Sequence, residues 1–217
     1  MAGNRRKYGG VSRAWVVLGV LYAAFFWWYT SFEGPLTDEE VAHFTVVLEG
    51  AMEDGERRQN WVRFMETDSG DDFAMWNALA IRETPELVPG VAPGDSSEEV
   101  MARYSAPFFQ RSLWRASHPV LGGEAAAPAL DVWGIDGAGE WDAGVLVRYR
   151  SRRDVMEILE AIAAADSNIH DFKLASLEKT IAFPLDPWAS PGDPRLLLGL
   201  VLLALALVCQ LRRTAQR

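Results

Sequence analysis

The sequence predicts an α+β fold held between two apolar helices, and three observations predict it. Two runs near the ends, residues 14–32 (AWVVLGVLYAAFFWWYTSF) and 196–211 (LLLGLVLLALALVCQL), carry no charged side chain. Between them Trp141, Ala143, Val145, Val147 and Tyr149 alternate with Asp142, Gly144, Leu146, Arg148 and Arg150, the period of a half-buried strand. Directly after that strand Ser151 stands three residues before Asp154, a capping signature, and Val155, Met156, Ile158, Leu159 and Ile162 make one apolar helical stripe.

Taken in order, the 19 residues of the first run rise about 28 Å as a helix, close to the thickness of a hydrocarbon layer. Trp27, Trp28 and Tyr29 stand at its far end, where aromatic belts belong. The basic stretch Arg5, Arg6 and Lys7 also suits a signal peptide, but no small-x-small cleavage site follows, so a retained anchor is predicted. The second run, 16 residues long, is aliphatic on every face and ends at Arg212 and Arg213, which reads as a second span. The predicted organisation is a basic tail (1–13), a transmembrane helix (14–32), a helical lead-in (33–72), an α/β domain (73–187), a linker (188–195), a second transmembrane helix (196–211) and a basic tail (212–217).

In the lead-in, Thr37 and Glu40 form a capping box ahead of the stripe Val41, Phe44 and Leu48, and a second short helix follows over 56–66. Residues 73–82 read as a strand. Ser96 and Glu99 cap a long helix through Val100, Tyr104, Phe108 and Trp114, which Pro107 is predicted to kink or divide. An irregular strand starts at His118 and bends at Gly122 and Gly123, and a last strand covers 180–185. Strand, helix, strand, strand, helix, strand is the split βαβ order of a ferredoxin-like antiparallel four-stranded sheet.

Charge orients the chain. Seven Lys and Arg occupy the two tails with no acid among them, whereas the segment between the spans, with Arg195 at its edge set aside, holds 30 acids against 13 basic residues, a formal −17. The positive-inside bias places both termini in the cytoplasm and residues 33–195 outside, periplasmic or extracellular if the membrane is a bacterial inner membrane. A domain so acidic repels phosphate backbones, which excludes nucleic acid as a partner. Cys209 lies inside the second apolar run, so the outer domain has no disulfide and no thiolate nucleophile.

The segments FAMWNALAIRE, SSEEVMARYSAPFF, HPVLGGEA, EWDAGVLVRYRSRRDVMEIL and NIHDFKLASLEKTIAFP, in that order, resemble the DUF1330 type of the dimeric α/β-barrel superfamily over residues 73–184. The resemblance implies a fold rather than a reaction, because the superfamily hosts monooxygenases, isomerases, haem-degrading enzymes and members without known activity. It implies a homodimer closed through the bare sheet face, and it matches Asn77 in the first strand and His170 with Lys173 late in the last helix to positions typical of the family. Two departures stand out: family members are mostly soluble, and Lys173 is separated from the histidine by Asp171 and Phe172.

Candidate chemistry rests on few groups. If Val145, Val147 and Tyr149 meet the helices, Arg148 points to the opposite face, either as a cation awaiting an anionic ligand or as the partner of one of the many acids. His170, with Asp171 beside it and Asp166 one turn back, is either a general base or a helix-end histidine. Three scattered histidines give no metal-site spacing, and no phosphate loop or nucleophile elbow is present, so no cofactor is implied. Arg152 and Arg153 fall in a first helical turn, where the macrodipole disfavours cations, and read as solvated or paired with acids. The predicted function is a membrane-anchored dimeric module that binds a small apolar or anionic ligand or a partner protein. The alternative is an oxygenase or isomerase acting on a lipophilic substrate at the membrane surface.

Overall fold

The computed structural model describes residues 13–52, 54–165 and 169–216. Among them the helices are α1 (Arg13–Tyr29), α2 (Asp38–Ala51), α3 (Gly55–Glu66), α4 (Ser97–Trp114), α5 (Arg152–Ala165), α6 (Ile169–Ser176) and α7 (Pro194–Ala215). The strands are β1 (Phe73–Ile81), β2 (His118–Glu124), β3 (Ala143–Tyr149) and β4 (Leu177–Leu185). The chain forms two compact units, one of residues 30–188 and one of the two ends. The tail residues Arg5, Arg6, Lys7 and Arg217, and Asp166 of the histidine reading, lie outside the described residues.

In the larger unit the strands lie in the order β2-β3-β1-β4, and every neighbouring pair is antiparallel. This is the interleaved βαβ arrangement that the pattern of elements anticipates, with α4 connecting β1 to β2 and α5 with α6 connecting β3 to β4. One sheet face meets the helices. Phe73, Val147 and Tyr149 join Phe44 and Leu48 of α2, Phe64 and Met65 of α3, Phe108 of α4 and Val155, Met156, Ile158 and Ile162 of α5 in a single core. Phe73 and Tyr149, partners across the ladder, stack with centroids 5.2 Å apart. The other face, with Leu121, Ile181 and Phe183, is open to solvent. α4 continues undivided through Pro107, because Val100 and Phe108 on either side are buried and that packing outweighs one missing amide donor.

In the arginine-rich corner after β3 the two first-turn cations are paired with acids rather than solvated. Arg152 and Arg153 are both buried. Arg152 donates to the Phe64 carbonyl and to Thr67 Oγ1 (2.9 Å), stacks 4.5 Å over the Phe64 ring and stands 3.5 Å from Asp68. Arg153 forks onto Glu40 (2.6 and 3.0 Å) and reaches Glu33 and the carbonyls of Gly34 and Pro35. These pairs offset the unfavourable dipole end. Ser151 caps as predicted: its hydroxyl accepts from the Asp154 amide at 3.0 Å and donates to the Asp154 carboxylate at 2.8 Å. Ser151→Ala is expected to cost about 1–2 kcal/mol in denaturant titrations.

The Arg153 guanidinium pulls the Glu40 carboxyl down to about 2. A depressed folded-state carboxyl contributes stability above its unfolded value, near 4.5, and that contribution disappears as pH falls toward 2. Thermal midpoints recorded from pH 5 to pH 2 are therefore expected to fall less steeply for Glu40→Gln than for the wild type.

In the smaller unit α1 and α7 pack side by side, with Gly199 facing the Tyr22 ring and Tyr22 Oη donating to the Arg195 carbonyl at 3.2 Å. Only α7, 22 residues long, is long and apolar enough to cross a membrane among the described residues. α1 is apolar but runs 17 residues, about 26 Å. The expectation of two spans is thus corrected to one helix that meets the requirement. The aromatic end of the first run stops at Tyr29, and Thr30 to Phe32 leave the helix toward the turn that leads to α2.

Candidate ligand-binding site

Between the helix-covered sheet face and helices α2 to α6 lies a cavity of about 580 Å³. Its size falls in the range of ordinary small-ligand sites. The sheet supplies Met75, Asn77, Tyr149 and Ala182, and much of the wall is aliphatic or aromatic, including Leu48, Trp61, Phe108, Val155, Met156 and Leu159. Against this apolar body stand Arg57 of α3 and both His170 and Lys173 of α6.

Local structure explains how these three groups converge. Asp54 accepts from the Glu56 and Arg57 amides and fixes the start of α3, which sets Arg57 one turn before Trp61 on the face that looks inward. The α6 helix is held from outside by the loop between β1 and α4: the Arg82 amide donates to the Ser176 carbonyl and the Glu86 amide to the Ala175 carbonyl. Gly90, at φ 92°, lets that loop approach the Phe172 ring, which a Cβ would meet at 3.0 Å. His170 and Lys173 then share one α6 face by their three-residue spacing. Arg57 Nη2 lies 3.5 Å from His170 Nε2, the Tyr104 ring packs edge-on to the imidazole, and Lys173 Nζ stands 5.6 Å from the Tyr104 ring centre.

The charge balance of this corner is unusual for so acidic a domain. Among the described residues neither Arg57 nor Lys173 is paired with a carboxylate. Glu160, the single acid of the lining, is engaged by His43 at 2.8 Å. Burial first, then Arg57 and Lys173, lowers His170 to about 4 despite Asp171, so the imidazole is neutral at physiological pH. Burial and Arg57 lower Lys173 to about 8. Burial pushes Tyr104 up to about 12 and Tyr149 higher still, so both remain neutral phenols. The site therefore combines a permanent guanidinium, a lysine near its titration midpoint and a neutral imidazole at one end of an apolar chamber.

Asn77 also faces this chamber. Its amide nitrogen donates to the Met75 carbonyl at 3.1 Å and lies 3.5 Å from that of Val145, which leaves its oxygen as an acceptor. Three of the four residues singled out in the sequence, Asn77, His170 and Lys173, thus border one cavity. Arg148 does not. It sits on the other side of the sheet, buried, bonded to Asp72 (2.8 and 3.0 Å) and to the Ala116 carbonyl (2.7 Å). Arg57 escaped the sequence reading, although its place four residues before Trp61 and seven before Phe64, on an apolar stripe, is the signal that could have found it.

No protein-family model matches the chain, so the DUF1330 assignment has no support of that kind, and no curated protein matches it either. Among solved structures the chain is similar to one titled the crystal structure of methylated RPA0582 protein, at 19% identity with a TM-score of 0.49, over 66% of this chain and 97% of that one. A second, the RPA0582 protein of unknown function from Rhodopseudomonas palustris, gives 16% identity and a TM-score of 0.49 over 64% and 98%.

Proposed function

We propose that the chain is a membrane-anchored module whose larger unit binds a lipophilic anion in the cavity beneath the sheet. The observation that carries this reading is the unmatched positive corner. In a unit with 29 acids against 13 bases, Arg57 and Lys173 face an apolar chamber, and no described carboxylate pairs with either. Desolvated cations are costly unless an anion neutralises them, and a ligand with a carboxylate head and an aliphatic body satisfies both parts of the lining. Dodecanoate is expected to quench Trp61, and Arg57→Met to weaken it by at least tenfold while Arg63→Met, on the same helix, leaves affinity within twofold. Equal affinities in the two variants would refute the assignment.

In this reading α7 is the anchor, and Arg212 and Arg213 mark its cytoplasmic end, which puts residues 33–195 on the far side of the membrane. The domain is a ferredoxin-like module of DUF1330 type that pairs through its open sheet face, where Leu121 is 63% exposed and Phe183 43%. With Cys209 replaced by serine, Leu146→Cys is expected to crosslink between protomers in detergent; a monomer under those conditions would rule the pairing out.

A further inference from the structure

Resting on the reading of the cavity as an anion site, the geometry points to a narrower ligand: we infer that Lys173 is a nucleophile that captures a lipophilic 2-oxo acid as an imine, with Arg57 holding the carboxylate. A simple acid would use Arg57 alone. The corner holds more than an acid requires, namely an amine with no hydrogen bond or acid partner among the described residues, a neutral imidazole one turn away on the same helix, and an amide oxygen of Asn77 with no described donor. Lys173 Nζ approaches only the face of Tyr104, at 5.6 Å from the ring centre, so nothing ties it down against reaction.

The chemistry balances without an outside reagent. The neutral amine of Lys173 adds to the ketone carbon, and one of its two protons passes to the carbonyl oxygen, which becomes the hydroxyl of a carbinolamine. His170 takes the second proton from nitrogen and gives it to the hydroxyl, which leaves as water, and the C=N bond forms. Asn77 Oδ1 accepts from the hydroxyl or from the protonated imine. Burial and the Arg57 charge supply the amine: with a pKa of about 8, roughly 9% of Lys173 is neutral at pH 7, against roughly 0.03% for an ordinary lysine, on the order of 300-fold more. The apolar wall around Val155 and Leu159 limits the water that would hydrolyse the imine.

The test uses the full chain in detergent with 2-oxododecanoate and borohydride, followed by peptide mass mapping. The chain has three lysines, Lys7, Lys173 and Lys179, so the labelled position is unambiguous. The expected result is a reduced adduct on Lys173 alone, with trapping half-maximal near pH 8, lost in Lys173→Arg and unchanged in Lys179→Arg. Dodecanoate binding to the wild type is read in parallel by tryptophan quenching. Dodecanoate bound with no adduct would overturn the imine and leave the anion site standing. Neither binding nor adduct would overturn both. Comparable labelling of Lys179, or a yield still rising above pH 10, would reduce Lys173 to an ordinary amine and overturn the inference.

Discussion

Gly70→Ala is expected to cost the larger unit about 2–4 kcal/mol, read from denaturant midpoints of the full chain. Gly70 has φ 82°, a left-handed conformation that costs a residue with a Cβ on the order of 1 kcal/mol. The larger part is steric. A Cβ there would lie 2.6 Å from the Gly34 carbonyl carbon, 2.7 Å from Pro35 N and 2.8 Å from Gly34 Cα, all backbone atoms with no rotamer to escape into. Overpacking of this kind costs about 1–3 kcal/mol. Relief by moving the lead-in away would break the bond from the Leu36 amide to Asp68 Oδ2 (2.9 Å) and those from Arg153 to the Gly34 and Pro35 carbonyls (3.2 and 3.1 Å). Gly123→Ala is the control, since a Cβ there meets nothing within 4 Å. A loss below about 1 kcal/mol at Gly70 would show that the turn yields cheaply and that the lead-in is not fastened at this point.

The contrast between the two glycines marks what a sequence can and cannot disclose. The capping boxes Thr37 with Glu40 and Ser96 with Glu99, and the alternation through Tyr149, were legible because the interacting residues are neighbours in the chain. The strand order followed from the alternation of element types. What escaped is mostly long-range. Arg152 and Arg153 read as solvated or paired with acids because a first-turn cation is locally unfavourable, but which acids was hidden: their partners are the Phe64 carbonyl, Thr67, Asp68, Glu40 and Glu33, which are distant in sequence. Four arginines of the corner are each paired with an acid: Arg148 with Asp72, Arg150 with Asp154, Arg152 with Asp68 and Arg153 with Glu40. The corner is thus a structural clasp between β3, α5 and the lead-in. The same limit applies to the cavity. Its lysine and histidine were picked out by family resemblance, but Arg57, which completes the cationic corner, lies in a helix outside the resembling segment.

Arg148→Met, set beside Arg57→Met, separates the clasp from the site. Arg148 is buried, and three of its nitrogens are used, two on Asp72 and one on the Ala116 carbonyl. Methionine fills much of the volume but leaves a carboxylate and a carbonyl without their donor. Breaking a buried pair from one side costs about 3–5 kcal/mol, and because the Asp72 side chain is 26% exposed the lower figure applies, so a loss of about 3 kcal/mol is expected. Ligand affinity at saturating folded protein is expected to stay within twofold, because Arg148 lies across the sheet from the cavity. Arg57→Met should do the reverse. It removes one of two mutually repelling cations, Arg57 and Lys173, so stability should hold or rise, and dodecanoate affinity should fall. Differential scanning calorimetry and tryptophan quenching on both variants give four numbers. If Arg148→Met kept its stability and lost the ligand, the binding face would be the open side of the sheet, and the cavity beneath the helices would be only a packing defect.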